Sequence, residues 1–504
     1  MQAFLEFFMS IYSLFLGVFI SSDGPTKKEN PLYVHNTLSN RLEEFVPISN
    51  AVTMYNCGPT VYGRQHIGNL SMFVFTDILR RTLECNGYRV QQVINFTDVG
   101  HLTSDADDGD DKMMKGLKRE GLEPTMENMS ILAEKYADLF LQDLAVLNIK
   151  TDGTKFPRAS AYIPAQIKMV AELEKKGFAY RGAGGVYFDT SKFSEYGKLG
   201  NINLKGLKEG ARVSAVADKR NPTDFLLWKF DEKMGWESPW GMGFPGWHIE
   251  CSAMIREILG DQIDIHTGGI EHIPVHHNNE IAQSEAATSK KPFARYWLHR
   301  AHLQIDSAKI AKSDGNTVYL SEIVEKNIHP LAFRYLLLGA HYRQPSNFTY
   351  DALTASQTAF LKLVKLVTEL PEGGTVPSPY GMQFMERIND DLDTAGGLAV
   401  LWAMVNDSHV DPANIRAGLL YFDRMLGLNL AASDESALLL ARKEHGISVA
   451  VDKAPEHVKD LLKQRELARA EKRWADADKI RVQIEKEGFV IEDTVDGQRL
   501  VAKY

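Results

Sequence analysis

Three short stretches of the chain carry side chains that could do chemistry. Tyr55 to Asn69 reads Y-N-C-G-P-T-V-Y-G-R-Q-H-I-G-N and contains Cys57 and His66. Lys309 to Ser313 reads K-I-A-K-S, and His276 and Glu280 stand one helical turn apart farther upstream. An apolar strand, a Gly-Pro break and a helix start aim backbone N–H groups and a helix dipole at an anion. A lysine loop could close over the same anion, although a K-x-x-K-S alone is more often a polar surface loop. Positions i and i+4 of a helix share a face, so His276 and Glu280 could act on one ligand. Thiol, imidazole and carboxylate are all zinc donors. Cys57 and Cys251 are nevertheless far from the His–Glu pair in sequence, and a lone cysteine is more often an unreactive core residue. Spacing by itself does not join the four.

The elements around these residues alternate between strand and helix. Ala51 to Tyr55 reads as a strand, and the run Leu70 to Cys85 places Phe73, Val74, Ile78, Leu79 and Leu83 near one helical face before the Asn86-Gly87 stop. Arg89 to Phe96 is β-rich and turns at Thr97-Asp98-Val99-Gly100. Gln262 to His266 is a strand ending in Thr267-Gly268-Gly269, where glycines admit a ligand close to the backbone. His276 to Ala287 reads as a helix. Asp314-Gly315-Asn316 predicts a turn after the lysines. The run Arg181 to Asp189 reads as a turn into a strand within a glycine-rich insertion. Beyond Ser321 the pattern is mostly helical: Leu353 to Leu370, Tyr380 to Asp391 and Gly397 to Val405 form a small bundle, with Pro371 to Pro379 as a linker. Ala432 to Lys453 follows no regular pattern. Pro455 to Gly488 is helix-rich and mixed in charge.

A chain of 504 residues exceeds one ordinary core and suggests about three domains. Its formal net charge of −9 lacks the basic excess of many nucleic-acid binders, so any nucleic acid must be held by local positive patches. The three cysteines, Cys57, Cys85 and Cys251, are too few and scattered for a disulfide framework and suit a reducing cytoplasm. Cys85 reads as a small core residue. Ala3 to Ile20 is an apolar run without the positive flank of a secretory signal, and is read as an extension with no catalytic role rather than a membrane anchor. The acidic run Asp105 to Asp111 reads as a solvated loop, since it lacks calcium-loop spacing.

Taken together, the motifs resemble a known family. H-I-G-N resembles the H-I-G-H signature of class I aminoacyl-tRNA synthetases, and K-I-A-K-S resembles their K-M-S-K-S. Y-N-C-G-P-T-V-Y and P-G-W-H-I-E-C-S-A-M (Pro245 to Met254) resemble cysteinyl-tRNA synthetases in particular. So do A-D-K-I-R (Ala477 to Arg481) and E-D-T-V-D-G near the C-terminus, and the likeness runs from about Leu32 to the end of the chain.

The resemblance implies an α/β fold, a doubly wound Rossmann-like parallel sheet with a connective insertion, a C-terminal helical bundle and a small tRNA-binding tail. The corresponding boundaries are 1–31 for the extension, 32–148 and 240–320 for the two halves of the catalytic domain, and 149–239 for the insertion. Residues 321–431 follow as the stem-contact and helical part, and 432–504 as the tRNA (anticodon)-binding region. The implied activity is that of a cytoplasmic, monomeric cysteine–tRNA ligase with ATP, L-cysteine and tRNA as substrates, one zinc ion per chain, Mg2+ with ATP, and no stable membrane association. Cys57, Cys251, His276 and Glu280 align with zinc ligands; His277 is the rival of His276, because neighbouring helical positions point about 100° apart. His66, Asn69, Lys309 and Lys312 align with catalytic and ATP-binding residues, and Gly268 and Gly269 with the nucleotide site. Thr97, Trp247 and His248 align with the cysteine pocket, with Tyr62 beside them, and Lys479 and Arg481 with the tRNA-binding tail. The alternatives are a cysteine–amino-sugar ligase of the mycothiol type and an RNA-binding homologue of weak activity.

The chain departs from the family pattern at several positions. Ile310 and Ala311 replace Met and Ser of the lysine loop, and Glu271 replaces Asp. Phe244 and Ser71 replace arginines, and Leu500 replaces a Trp. These changes bear on rate, phosphate contacts and tRNA affinity.

Overall fold

The computed structural model describes residues 30–99, 112–202, 219–305, 308–309, 317–445, 447–449, 454–494 and 497–502. The Ala3–Ile20 run, the Asp105–Asp111 run and Ile310 to Asn316 of the lysine loop lie outside the described residues. The described chain begins with a hairpin, β1 (Tyr33–Asn36) and β2 (Arg41–Glu44), followed by β3 (Ala51–Asn56), α1 (Ile67–Cys85) and β4 (Arg89–Ile94). Two helices, α2 (Lys112–Glu120) and α3 (Met126–Val146), cover this half, and α4 (Ile163–Lys175) leads into the insertion.

An antiparallel sheet is formed by β5 (Ala179–Arg181), β6 (Gly185–Phe188) and β7 (Phe225–Phe230) of the insertion and by β8 (Gly243–Pro245), which lies past the expected boundary at residue 239, in that spatial order. Phe244 is buried here, edge-on to Trp236, which explains how an apolar ring is tolerated at that position. The chain then returns through α5 (Trp247–Ile258), β9 (Ile263–Gly269), α6 (Asn278–Thr288) and β10 (Ala294–Arg300).

The central sheet is parallel, in the order β10-β9-β3-β4. β9 is buried along its whole length and β3 and β10 nearly so, whereas β4 is buried only in its second half. From β3 the chain moves outward to β4 on one side and returns to β9 and β10 on the other. That reversal makes a crevice at the carboxyl ends of β3 and β9, where ligands of open α/β sheets bind. Cys57 and Gly269 lie at those ends.

A three-stranded sheet of β11 (Leu303–Ile305), β12 (Ala308–Lys309) and β13 (Ser346–Phe348) carries the start of the lysine motif. Helices α7 (Leu320–Glu325), α8 (Pro330–Leu338), α9 (Tyr350–Glu369), α10 (Ser378–Asn389), α11 (Thr394–Asn406), α12 (Pro412–Leu426) and α13 (Glu435–His445) follow. Most of them share one apolar core, in which Phe384 and Phe422 stack at 4.1 Å. The stretch that followed no pattern resolves into α13 and β14 (Ile447–Val449). The last unit comprises α14 (Glu456–Ala470), α15 (Trp474–Lys486), β15 (Phe489–Thr494) and β16 (Gly497–Ala502). Val458, Leu462, Ile484, Ile491 and Leu500 form its small core, so Leu500 is a packing residue. Among the described residues no helix is long and apolar enough to cross a membrane.

Candidate active site

The sequence builds the crevice from four segment ends. β3 delivers Cys57, and the chain then turns at Gly58, where a Cβ would lie 1.5 Å from the Asn95 carbonyl oxygen; only glycine fits there. α1 begins at Ile67 with His66 as its N-cap, whose Nδ1 accepts from the Asn69 N–H at 3.2 Å. That bond leaves the imidazole proton on Nε2, making it a donor beside the helix N-terminus. Asn69 is exposed on the same first turn.

A cleft of about 340 Å³ opens here, lined among others by Cys57, His66, Asn69, Thr97, Trp247, Cys251, Gly269 and His276. Gly268, one residue earlier on β9, is packed so that a Cβ would meet the His277 ring at 2.5 Å and His272 Nδ1 at 2.7 Å. The Lys309 backbone lies in β12, paired with Gln304 of β11. Lys312 is outside the described residues.

At the floor of the cleft lies a buried donor cluster. Donor atoms of Cys57, His276, His277 and Glu280 lie within 4.8 Å of one another. His276 Nε2 is 2.9 Å from Glu280 Oε1, and Cys57 Sγ is 3.9 Å from the same oxygen. Cys251, on α5, is not one of these four; its Sγ lies 3.9 Å from Asn95 Oδ1, with Cys57 and His276 close enough to shift its thiol. The expected His276–Ala287 helix begins later than expected: Ile273–His277 forms a wider π-type turn and the α-helix starts at Asn278. Such a turn changes the angle between successive side chains, and His277 is not swung away. Its Nε2 lies 3.3 Å from Cys57 Sγ, and its Nδ1 lies 2.7 Å from His299 Nε2.

The surroundings orient each donor. His276 Nδ1 faces His248 Nδ1 at 2.9 Å, leaving Nε2 toward Glu280. His266 Nε2 holds Glu280 Oε2 at 2.8 Å, which leaves Oε1 for the cluster. Gln283 of α6 donates to the His248 carbonyl at 2.8 Å and to Ser252 Oγ at 3.0 Å, clamping α5 to α6. Trp247 stacks on His276 at 4.2 Å and walls the cleft.

Electrostatics follow from this packing. Burial pushes the His276 pKa down, but the Glu280 carboxylate and Cys251 outweigh it and raise the value to about 10. The hydrogen bond from Cys57 pulls Cys251 down to about 6, while burial holds the Cys57 thiol well above its usual value. Burial opposes ionisation of Glu280 too, yet His266 and His276 bring it to about 2. Burial and the nearby His276 keep His248 neutral.

Thr97 lines the cleft, but its hydroxyl donates to Glu250 Oε2 at 2.9 Å. His248 lies behind His276 and Tyr62 lies outside the cleft lining. Lys479 and Arg481 are exposed on α15, beside Asp476 at 3.7 Å and Glu485 at 3.3 Å. Sequence reasoning missed His266, His299, Glu250 and Asn95, which come from different elements and carry no local spacing signal.

A parallel sheet with this strand order and a helix N-terminus at its switch point is the layout of a nucleotide-binding α/β domain. The family model described as tRNA synthetases class I (C) catalytic domain matches residues 44–358, and that of the cysteinyl-tRNA ligase anticodon binding domain matches 452–500. Among solved structures, Mycobacterium tuberculosis methionyl-tRNA synthetase bound by methionyl-adenylate shares this fold. Its TM-score is 0.52 at 14% identity, covering 80% of this chain and 95% of that one. Cysteine–tRNA ligase 1 of Burkholderia lata is 46% identical over 93% of this chain and 97% of its own length. The cysteine–tRNA ligase of Chlorobaculum tepidum is 40% identical over 92% and 98%, and that of Treponema denticola 38% over 92% and 98%. The chain belongs to the cysteinyl-tRNA synthetase family.

Proposed function

We propose that this enzyme activates L-cysteine with ATP, releasing pyrophosphate, and transfers the cysteinyl group from the adenylate to the 3′ end of tRNA(Cys). The reading is carried by one juxtaposition: a buried S, N and O donor cluster on the floor of a cleft whose rim is the α1 N-terminus. Cys57, Cys251, His276 and Glu280 would hold a zinc ion. The donors suit it: two sulfurs, an imidazole nitrogen turned outward by His248, and a carboxylate oxygen left over by His266. Bound there, zinc would supply a thiophilic position that separates the thiolate of cysteine from the hydroxyl of serine, a distinction that shape alone makes poorly. His277 supports Cys57 from beneath, and its ring is fixed by His299.

The protein groups carry the rest of the chemistry. Trp247 and Thr97 line the amino-acid side of the cleft, and His248 acts on it through His276. The α1 N-terminus, His66 Nε2–H and Asn69 hold the ATP phosphates, with Mg2+ accompanying the nucleotide, and Gly268 and Gly269 let the nucleotide approach the β9 backbone. The cysteine carboxylate attacks the α-phosphate in line and pyrophosphate leaves. Lys309 and Lys312 stabilise the charge that builds on the leaving group, so no covalent enzyme nucleophile is required. The tail that carries Lys479 and Arg481 offers tRNA a surface remote from the reacting end. A small amino-sugar acceptor would leave it without a role. Cysteine-dependent pyrophosphate exchange, repeated with serine and followed by charging of tRNA, tests the reading. Exchange with serine equal to that with cysteine, or transfer to an amino sugar in place of tRNA, refutes it.

A further inference from the structure

Four arginines are buried among the described residues, and three of them meet a carboxylate: Arg80 with Glu84, Arg334 with Asp77 and Arg465 with Asp493. Arg300 is the exception. It ends β10, is 5% exposed, and its Nε donates to Ser71 Oγ at 3.1 Å. Its Nη2 has no acceptor in the described protein. Burial pulls its pKa down to about 10, and no described carboxylate is bonded to it to offset that. A buried charge left without a counter-charge is expensive, so an unsatisfied one calls for an explanation, and a ligand that completes it is one.

The position of Arg300 indicates the ligand. Arg300, Ala301, His302 and Leu303 line one wall of the cleft, and Asn69, Ser71 and Met72 line the facing part of α1. Ser71 donates to the Gly68 carbonyl at 2.7 Å, so the guanidinium is tethered to the first turns of the helix whose N-terminus attracts anions. A neutral base or ribose would give that cation a hydrogen-bond acceptor but no charge. A phosphate supplies both and matches the planar fork of a guanidinium.

We propose that Arg300 is a nucleotide-binding residue whose guanidinium takes a phosphate oxygen of ATP, so that the cation gains a counter-charge when the substrate is bound. The proposal rests on the reading of this cleft as the ATP site. It also gives Ser71 a role, as the tether of a guanidinium that enters from β10 rather than from α1.

The test uses Arg300→Met in the full chain, with Arg300→Gln, which keeps a donor for Ser71, carrying it where the first variant fails to fold. ATP is titrated in cysteine-dependent pyrophosphate exchange, and equilibrium binding is measured separately for ATP, inorganic pyrophosphate and adenosine. The expected result is a rise of at least about tenfold in KM for ATP with weakened pyrophosphate binding. Adenosine binding, KM for cysteine and zinc content should be unchanged. An unchanged KM for ATP overturns the proposal, as does a loss of adenosine binding with pyrophosphate binding intact. His66→Ala separates the two levels of inference. If it raises KM for ATP while the Arg300 variants do not, Arg300 alone is misassigned; if neither changes it, the nucleotide binds elsewhere.

Discussion

Loading of zinc into this site should expel protons, and His276 makes the number measurable. The perturbation is His276→Ala in metal-free protein. With His276 raised to about 10 and Cys57 held above its usual value, both donors are protonated near neutrality, whereas Cys251 at about 6 and Glu280 at about 2 are not. Near pH 8 the empty donor set therefore holds about two protons, and both must leave when zinc binds. The sign follows from competition. Apparent zinc affinity rises with pH, by about 100-fold per unit for two protons, and its slope falls to about tenfold per unit as pH passes the raised value of His276, while the Cys57 thiol is still protonated. An ordinary histidine is already neutral near pH 8 and would release nothing. His276→Ala should therefore reduce the release from about two protons to about one, and the pH dependence to about tenfold per unit. Cys251 stays depressed in that variant, because the Cys57 hydrogen bond is its largest cause. Zinc titration in weak buffer with an indicator dye gives the proton count, and a competing chelator gives the affinity slope. Equal proton release from wild type and His276→Ala would refute the protonated His276–Glu280 pair.

Other perturbations reach different parts of the molecule. Cys251→Ser should lose most of the bound zinc while the fold persists, read by metal analysis and circular dichroism; full occupancy would remove Cys251 from the ligand set. Lys312→Ala should slow cysteine-dependent pyrophosphate exchange by at least about tenfold with zinc retained, because it removes charge stabilisation from the transition state. Arg334→Met should destabilise the chain by about 3 kcal/mol, at the lower end for a broken buried pair, since Asp77 keeps Arg81 as a partner. Urea unfolding measures that loss, and an unchanged midpoint would contradict it. Truncation after Asp452 should leave pyrophosphate exchange within a few-fold but sharply weaken tRNA charging, since binding energy remote from the reacting end is lost; equal charging would exclude the tail from recognition.

The parts of the site legible in sequence were those that a local pattern carries. Tyr55–Asn69 announced a strand, a turn and a helix start, and the structure places β3 and α1 there with His66 as the cap. His276 and Glu280 showed their pairing through helical spacing. The joining of Cys57 and Cys251 to that pair was legible only through family resemblance, because β3, α5 and α6 meet through the sheet order and not through any local period. The π-type turn at Ile273–His277 also has no period of its own, so the helix start was placed too early and His277 was expected to point away. Arg300 illustrates the general case. Its neighbour Ser71 was noticed as a departure, but nothing in sequence showed that β10 ends against the first turns of α1. The helix α6 is buried from Asn278 to Ala287, so it lacks the amphipathic stripe by which surface helices are recognised.

Helix α1 also explains how a remote binding surface can serve the cleft. Its N-terminus, capped by His66, lies at the rim of the cleft, and three turns later Asp77 meets Arg334 of α8, a pair with both side chains fully buried. Arg334 also donates to the carbonyls of Leu426, at the end of α12, and Leu147, beyond α3. Ile78 and Cys85 of α1 pack on the same apolar core as α9 to α13. The helical bundle is thus fixed to the element that carries the anion site, through a charge pair that is costly to break. Binding energy gained far from the cleft can assist the reaction only if it is not dissipated in relative motion before the acceptor end reaches the adenylate. A rigid α1 with a buried ionic anchor meets that requirement by fixing position, and no signal needs to pass between the two sites.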